Sequence, residues 1–174
     1  IPRYRKSRST AVRTRLGLSF ELCIGPGEAG WVEMSDDLPR FDPDRDSEWR
    51  ERLTDLQYHV TREAGTEPPN SGIHYMEDRK GDYLCICCGH LLFTSQMKFD
   101  SRCGWPAFHT EDQNAGIKRI RDTSYGMLRI EVRCGSCDAH LGHVFDDGPI
   151  EFGGERYCIN SASIDFEMEV DDAE

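Results

Sequence analysis

The sequence predicts a mainly β domain with minor α content, built of short antiparallel strands behind one N-terminal helix. Three observations carry that prediction. Helical spacing is confined to residues 48–63, where Trp49, Leu53, Leu56 and Val60 recur every three or four positions. From Gly72 onward, short apolar runs are separated by Gly, Asp and Asn. The clearest run, Met127 to Arg133, alternates Leu128, Ile130 and Val132 with Arg129, Glu131 and Arg133, the period of a strand with one buried face.

The elements follow in order. Residues 34–47 (MSDDLPRFDPDRDS) are Pro- and Asp-rich and read as an extended lead. Thr54 and Gln57 have the spacing of a capping box, so the helix starts at Thr54 or at Ser47. Gly65 and Pro68-Pro69 end it. Strands are expected at Tyr83-Leu84, Leu91 to Phe93, Ile117 to Ile120, Met127 to Arg133, Val144-Phe145, Tyr157 to Ile159 and Ser163 to Phe166. Ser124-Tyr125-Gly126 reads as a hairpin turn, and Glu167 to Glu174 as a frayed acidic tail. The domain thus occupies residues 48–168, between an extension (1–47) and a tail (169–174).

At 174 residues, the chain has room for one domain with a real core. The net charge is −11, but it is unevenly spread. Residues 1–33 hold six Lys/Arg and three Glu, whereas residues 34–174 hold 15 basic and 29 acidic residues, a balance of −14. Such a surface does not suit a phosphate backbone, which excludes a broad nucleic-acid face. No apolar stretch reaches the length of a membrane span, and no secretory signal is visible. Residues 1–33 admit three readings: an Arg/Ser-rich transit-like segment, an artefact upstream of Met34 as natural start, or a disordered basic arm. The acidic, solvated stretch opening at Met34 favours the last two.

The eight cysteines are Cys23, Cys85, Cys87, Cys88, Cys103, Cys134, Cys137 and Cys158. Two C-x-x-C pairs stand out, Cys85/Cys88 and Cys134/Cys137. Such a turn points two thiolates at one ion, and two turns complete a tetrahedral four-cysteine zinc site. The 45 residues between the pairs exceed a ribbon spacing, so a folded subdomain must lie between them. The competing reading is two redox dithiols or buried thiols. Cys87 is spare. Cys103 sits in a Gly/Pro turn (RCGWP), and Cys158 on a strand with Arg156 two residues away, on the same face. A nearby cation favours the thiolate, the nucleophilic form. His140 and His143 have the chemistry to move protons near neutral pH. Each of these residues also has a plain reading as a packed core side chain.

Five stretches resemble the B class of methionine sulfoxide reductases, in family order. They are QYHVTREAGTEPP (57–69), DYLCICCGHLLF (82–93), KFDSRCGWPAF (98–108), RCGSCDAHLGHVFDDGP (133–149) and RYCINSASIDF (156–166). The resemblance implies two packed antiparallel sheets with helix at the N-terminal side. It implies reduction of the R epimer of methionine sulfoxide in proteins and peptides, a repair of oxidative damage. It places Cys158 at the catalytic position and Cys103 at that of the resolving cysteine, leaving Cys87 as a rival. Cys85, Cys88, Cys134 and Cys137 match the zinc-bearing subset. Trp105, His140, His143, Asp147, Arg156 and Asn160 match pocket positions, with Phe145 and Phe166 nearby. Cys87 inside the first metal pair and Ala107, where Ser is common, depart from the pattern.

The implied cycle needs structural zinc, no organic cofactor, and a thioredoxin-type reductant in a reducing compartment. A cytoplasmic monomer is expected, with organellar import if residues 1–33 are a genuine transit segment. Rival readings are a zinc-bound module that binds another protein, a nucleic-acid ribbon and a thiol peroxidase. The first leaves Cys158 beside Arg156 unexplained, charge opposes the second, and the third leaves Trp105 without a role.

Overall fold

The computed structural model describes residues 43–170. The reading of residues 1–33, Cys23 and the last four residues lie outside them. The fold class is as expected: mainly β, in two antiparallel sheets.

Two helices precede the sheets, where the sequence suggested one. Helix α1 spans Pro43–Arg52 and helix α2 spans Asp55–Arg62. The segment read as an extended lead therefore ends in a helix. Pro43 is its first residue, where a fixed φ favours helix and no N–H is needed. Two i,i+4 ion pairs, Asp46–Arg50 at 3.0 Å and Glu48–Arg52 at 3.1 Å, support it. Thr54 starts α2 with the full capping box: its hydroxyl accepts from Gln57 N–H at 3.3 Å, and Gln57 Oε1 accepts from Thr54 N–H at 2.9 Å. The break at Thr54 turns the helical phase, so Leu56 faces solvent while Trp49, Tyr58 and Val60 are buried.

Strands β1 (Gly81–Cys85), β2 (Leu91–Thr94) and β9 (Ile164–Met168) form a three-stranded sheet in the order β2-β1-β9. The other six strands form the order β3-β4-β8-β7-β6-β5. They are β3 (Lys98–Phe99), β4 (Ala107–Phe108), β5 (Lys118–Asp122), β6 (Arg129–Arg133), β7 (His140–Phe145) and β8 (Arg156–Ile159). Glu167 and Met168, assigned from sequence to the frayed tail, are paired with Asp82 and Gly81. β3 and β4 are two-residue strands, too short to show a period. Met127 and Leu128 belong to the β5–β6 turn, not the strand, and are exposed. β7 begins at His140, well before the expected Val144.

Aromatic rings close the space between the sheets. Phe93 on β2 stacks on Phe108 of β4 at 4.2 Å, and Tyr83 on β1 meets Phe108 edge-on at 5.0 Å. Leu92, Val132, Leu141, Tyr157, Ile159 and Ile164 complete the core. Each such side chain stabilises the fold by roughly 1.5–3 kcal/mol through burial.

Both faces of β6 are covered, contrary to its amphipathic pattern. Glu131 and Arg133 are buried because they neutralise each other: Arg133 Nε and Nη2 donate to Glu131 at 2.9 and 3.0 Å.

Candidate functional site

The two C-x-x-C turns fold alike. In the first, Gly89 takes a left-handed conformation (φ 71°) and its N–H donates to Cys85 O at 2.8 Å. In the second, Asp138 (φ 60°) donates to Cys134 O at 3.0 Å. Each turn lies at the end of a hairpin with a register shift, β1–β2 and β6–β7. The four sulfurs lie within 4.8 Å of one another, a cluster able to hold a metal ion. Cys85–Cys137 and Cys88–Cys134 are 3.6 and 3.7 Å apart. A tetrahedron with metal–sulfur bonds of about 2.3 Å needs edges of about 3.8 Å, so the donor set fits. The helices support it: Arg52 donates to Cys87 O and Arg62 to Cys137 O, all at 3.2 Å.

A second cysteine cluster lies elsewhere. The β4–β8 pairing sets Ala107 opposite Cys158, which draws the preceding RCGWP loop across β8. Cys103 Sγ comes to 3.6 Å from Cys158 Sγ although 55 positions separate them. Cys87 is not near this pair. It is 1% exposed and packs against Cys85, Cys137 and Thr61.

Cross-strand pairing also explains which side chains share the Cys158 face. On β7 and β8, His143 stands opposite Cys158, and Phe145 opposite Arg156. Arg156 lies 4.7 Å over the Phe145 ring and is clasped by Asp147 at 2.8 and 2.9 Å. The strands approach closely at Gly142, where a Cβ would fall 2.1 Å from Cys158 O. A cavity of about 150 Å³ opens here, lined by Thr66, Trp105, Arg129, His143, Phe145, Cys158 and Asn160, with Gly142 at its base.

Of the residues singled out from sequence, Trp105, His143, Phe145, Cys158 and Asn160 meet in this cavity. Cys103 lies behind Cys158, and Arg156 and Asp147 flank it. His140 lines a larger adjoining groove. Phe166 is the exception and is corrected: it sits on β9 against Tyr83, with ring centroids 5.1 Å apart, and does not line the cavity. The strand pairing of Phe166 with Tyr83 takes it to the other sheet.

Three carboxylates behind the cavity were missed from sequence. Asp122 Oδ2 accepts from His143 Nε2 at 2.9 Å and from Arg129 at 2.7 Å. Glu131 Oε1 accepts from His140 Nδ1 at 2.6 Å. Glu67 accepts from the N–H groups of Ser161 and Ala162 at 2.7 and 2.9 Å. Its own N–H donates to Asn160 Oδ1, and its carbonyl accepts from Trp105 Nε1. Glu67 thus seats two cavity residues at once. Its place in TEPP, a charged residue before two prolines, gave no burial signal. Glu67→Ala leaves the buried Ser161 N–H and the half-buried Ala162 N–H without partners and is expected to cost ~3 kcal/mol, read as a drop in chemical-denaturation stability. An unchanged midpoint contradicts the role.

The electrostatics correct one expectation. Arg156 does not make Cys158 acidic. Burial, then the Cys103 thiol beside it, push Cys158 up to about 12, outweighing the guanidinium. Burial opposes ionisation of Cys103 too, but hydrogen bonds from Ser101, the Trp105 backbone and Cys158, with the Arg156 charge, bring it below its ordinary value. Burial lowers His143 despite Asp122, so the ring is neutral at pH 7. Burial works against Glu131, but His140 and Arg133 overcome it and bring its carboxyl to about 2.

The shifts of Glu131 and His143 act in one direction. In both, the folded protein binds fewer protons than the unfolded chain, so stability falls as pH falls. The loss begins near 6.5 for His143 and continues from 4.5 down to about 2 for Glu131. Glu131→Gln is expected to flatten the part of the stability profile below pH 4.5 and to lower stability at pH 7 by ~3 kcal/mol. An unaltered acid limb in pH-dependent urea melts argues against it.

Comparison with known proteins agrees with this geometry. The SelR domain family matches residues 53–168. The chain is 55% identical over 119 residues to the peptide methionine sulfoxide reductase MsrB of Chromohalobacter salexigens, covering 68% of this chain and 90% of the relative. It is 52% identical over 128 residues to the same-named protein of Hahella chejuensis, covering 74% and 91%. It is 54% identical over 124 residues to a probable methionine-R-sulfoxide reductase B of Caenorhabditis elegans, covering 71% and 82%. The match spans both cysteine clusters and the strands between them, and the chain belongs to the SelR-domain family.

Proposed function

We propose that the protein is a peptide-methionine (R)-S-oxide reductase, returning the R epimer of methionine sulfoxide in proteins and peptides to methionine. The observation that carries this reading is the pair of sulfurs 3.6 Å apart, one of them facing a cavity of about 150 Å³ walled by Trp105 and His143. The domain responsible is residues 48–168, with the matched family segment inside it.

The chemistry follows from the side chains. Trp105 and Phe145 offer flat apolar walls to the S-methyl group. Sulfoxide sulfur becomes electrophilic as its oxygen gains a proton. Cys158 holds its proton until substrate arrives, and passes it to that oxygen as its sulfur attacks. His143 turns its protonated Nε2 to Asp122, which leaves Nδ1 to accept or relay protons, and His140 stands likewise toward Glu131. Asn160 and the Arg156–Asp147 pair hold β8 in place. Oxygen moves to Cys158, giving a sulfenic acid and methionine, a two-electron oxidation of one sulfur and reduction of the other. The Cys103 sulfur then attacks the Cys158 sulfur, a disulfide forms and water leaves. A thioredoxin-type dithiol reduces that disulfide by exchange.

The Cys85, Cys88, Cys134 and Cys137 set would hold zinc, a closed four-thiolate site that fixes structure and leaves the chemistry to Cys158. Free thiols and dithiol recycling suit a cytoplasmic or other reducing compartment. Among the described residues no helix is long and apolar enough to cross a membrane. We read the protein as a monomer.

The test is an epimer-resolved assay with dithiothreitol. Loss of the R form alone supports the reading, and consumption of the S form or of neither overturns it. Cys103→Ser is expected to complete one turnover but to recycle at least about tenfold more slowly with thioredoxin. Normal recycling would remove Cys103 from the cycle. The same variant loses the thiol that raises Cys158, so iodoacetamide is expected to label Cys158 faster than in the unaltered protein.

A further inference from the structure

The reaction cavity opens into a second, larger space. A groove of about 410 Å³ runs between the end of α2 and the β5–β6 hairpin, sharing Thr66, Arg129 and His143 with the cavity. His59 and Glu63 form one side; Ser124 and Tyr125 form the other. Inside it, His140 Nε2 is buried and has no hydrogen-bond partner among the described residues.

The hairpin above the groove is unusual in composition. Tyr125 is 91% exposed, Leu128 68% and Met127 47%, three large apolar side chains within four residues. Tyr125 is also held in a left-handed conformation (φ 57°, ψ 21°), strained for a bulky residue by about 1–3 kcal/mol. A turn needing only its shape would be better served by glycine at this position.

We propose that this hairpin tip and groove dock the polypeptide around the oxidised methionine, with Tyr125, Met127 and Leu128 receiving an apolar flanking side chain. The inference rests on the reductase reading above and names the substrate feature that site selects. Methionine is chiefly an interior residue, so the segments that carry it also carry other apolar side chains of the same core. Oxidation turns the thioether polar and loosens the surrounding core, exposing those neighbours along with the sulfoxide. Tyr125 joins this exposed apolar tip to the groove, which shares Thr66, Arg129 and His143 with the reaction cavity, and such a surface meets that chemistry.

The experiment compares two R-sulfoxide substrates with dithiothreitol as reductant. One is N-acetyl-methionine sulfoxide methylamide; the other is the acetylated, amidated tripeptide with Leu before and Val after the sulfoxide. The proteins are the unaltered chain, Tyr125→Gly, and the double variant Met127→Ser/Leu128→Ser. In the variants kcat/KM for the tripeptide is expected to fall about tenfold, chiefly through KM, with the small substrate unaffected. Tyr125→Gly is expected to melt no lower than the unaltered protein, because glycine accepts the strained conformation. A substrate ratio unchanged in both variants overturns the proposal. Equal losses on both substrates also overturn it, since the tip would then merely support the cavity. If the unaltered protein favours neither substrate, docking fails while the reductase reading stands. If it reduces neither, both fail.

Discussion

Replacing Cys158 by serine is expected to abolish reduction of methionine sulfoxide, a loss of at least about 10³-fold, while the fold and any bound metal are retained. The magnitude follows from chemistry. Serine is close in shape to cysteine, but its oxygen cannot accept the sulfoxide oxygen to form a sulfenic acid. No other thiol among the described residues is placed to take over. Cys103 lies behind Cys158 and outside the cavity lining, and Cys87 is buried among the metal-site cysteines. The surroundings tolerate the change, since β8 is held by pairing to β4 and β7 on both sides. The measurement is single-turnover methionine release, alongside metal content and circular dichroism. Residual turnover above roughly one hundredth of the original rate would remove Cys158 from the chemistry.

The second large effect concerns the four-cysteine cluster. Cys134→Ser, or prolonged chelation of the intact protein, is expected to release the metal and unfold the domain or lower its melting temperature by more than about 15 °C. Structural zinc in small domains is worth on the order of 10 kcal/mol, comparable with the whole stability of a fold this size. The cluster joins the β1–β2 hairpin of one sheet to the β6–β7 hairpin of the other, so its loss separates both. Metal analysis with differential scanning calorimetry checks the outcome. An unchanged melting temperature in a metal-free variant would reduce the cluster to an incidental grouping of thiols.

Much of this was legible in the sequence because the informative residues are local. Each C-x-x-C turn is four residues long and carries its own geometry, and the strand around Cys158 is short. What stayed hidden depends on pairing at a distance. Asp122 and Glu131 became visible as histidine partners only when β5, β6 and β7 were aligned side by side. Glu67 reads as a solvated loop acid until the 161–162 backbone is brought against it. Phe166 shows the converse error: proximity in sequence to Asn160 suggested the cavity, but β9 leaves for the other sheet. The first half of α1, residues 43–47, was hidden by composition, since Pro43 followed by charged residues resembles a linker as closely as a helix start. The alternation in β6 gave the strand but not its burial, because paired charges can be interior.

The pairing of β1 with β9 sets an order on how the protein is made. Gly81 must find Met168, and Cys85 must find Ile164, across nearly the whole length of the domain. A growing chain can form the β1–β2 and β5–β6 hairpins as they emerge from the ribosome, but the three-stranded sheet cannot close until the last strand is out. Until then Tyr83 lacks Phe166, the ring that β9 lays against it. Truncation before residue 164 therefore removes the strand that completes this sheet and leaves one edge of β1 without its partner.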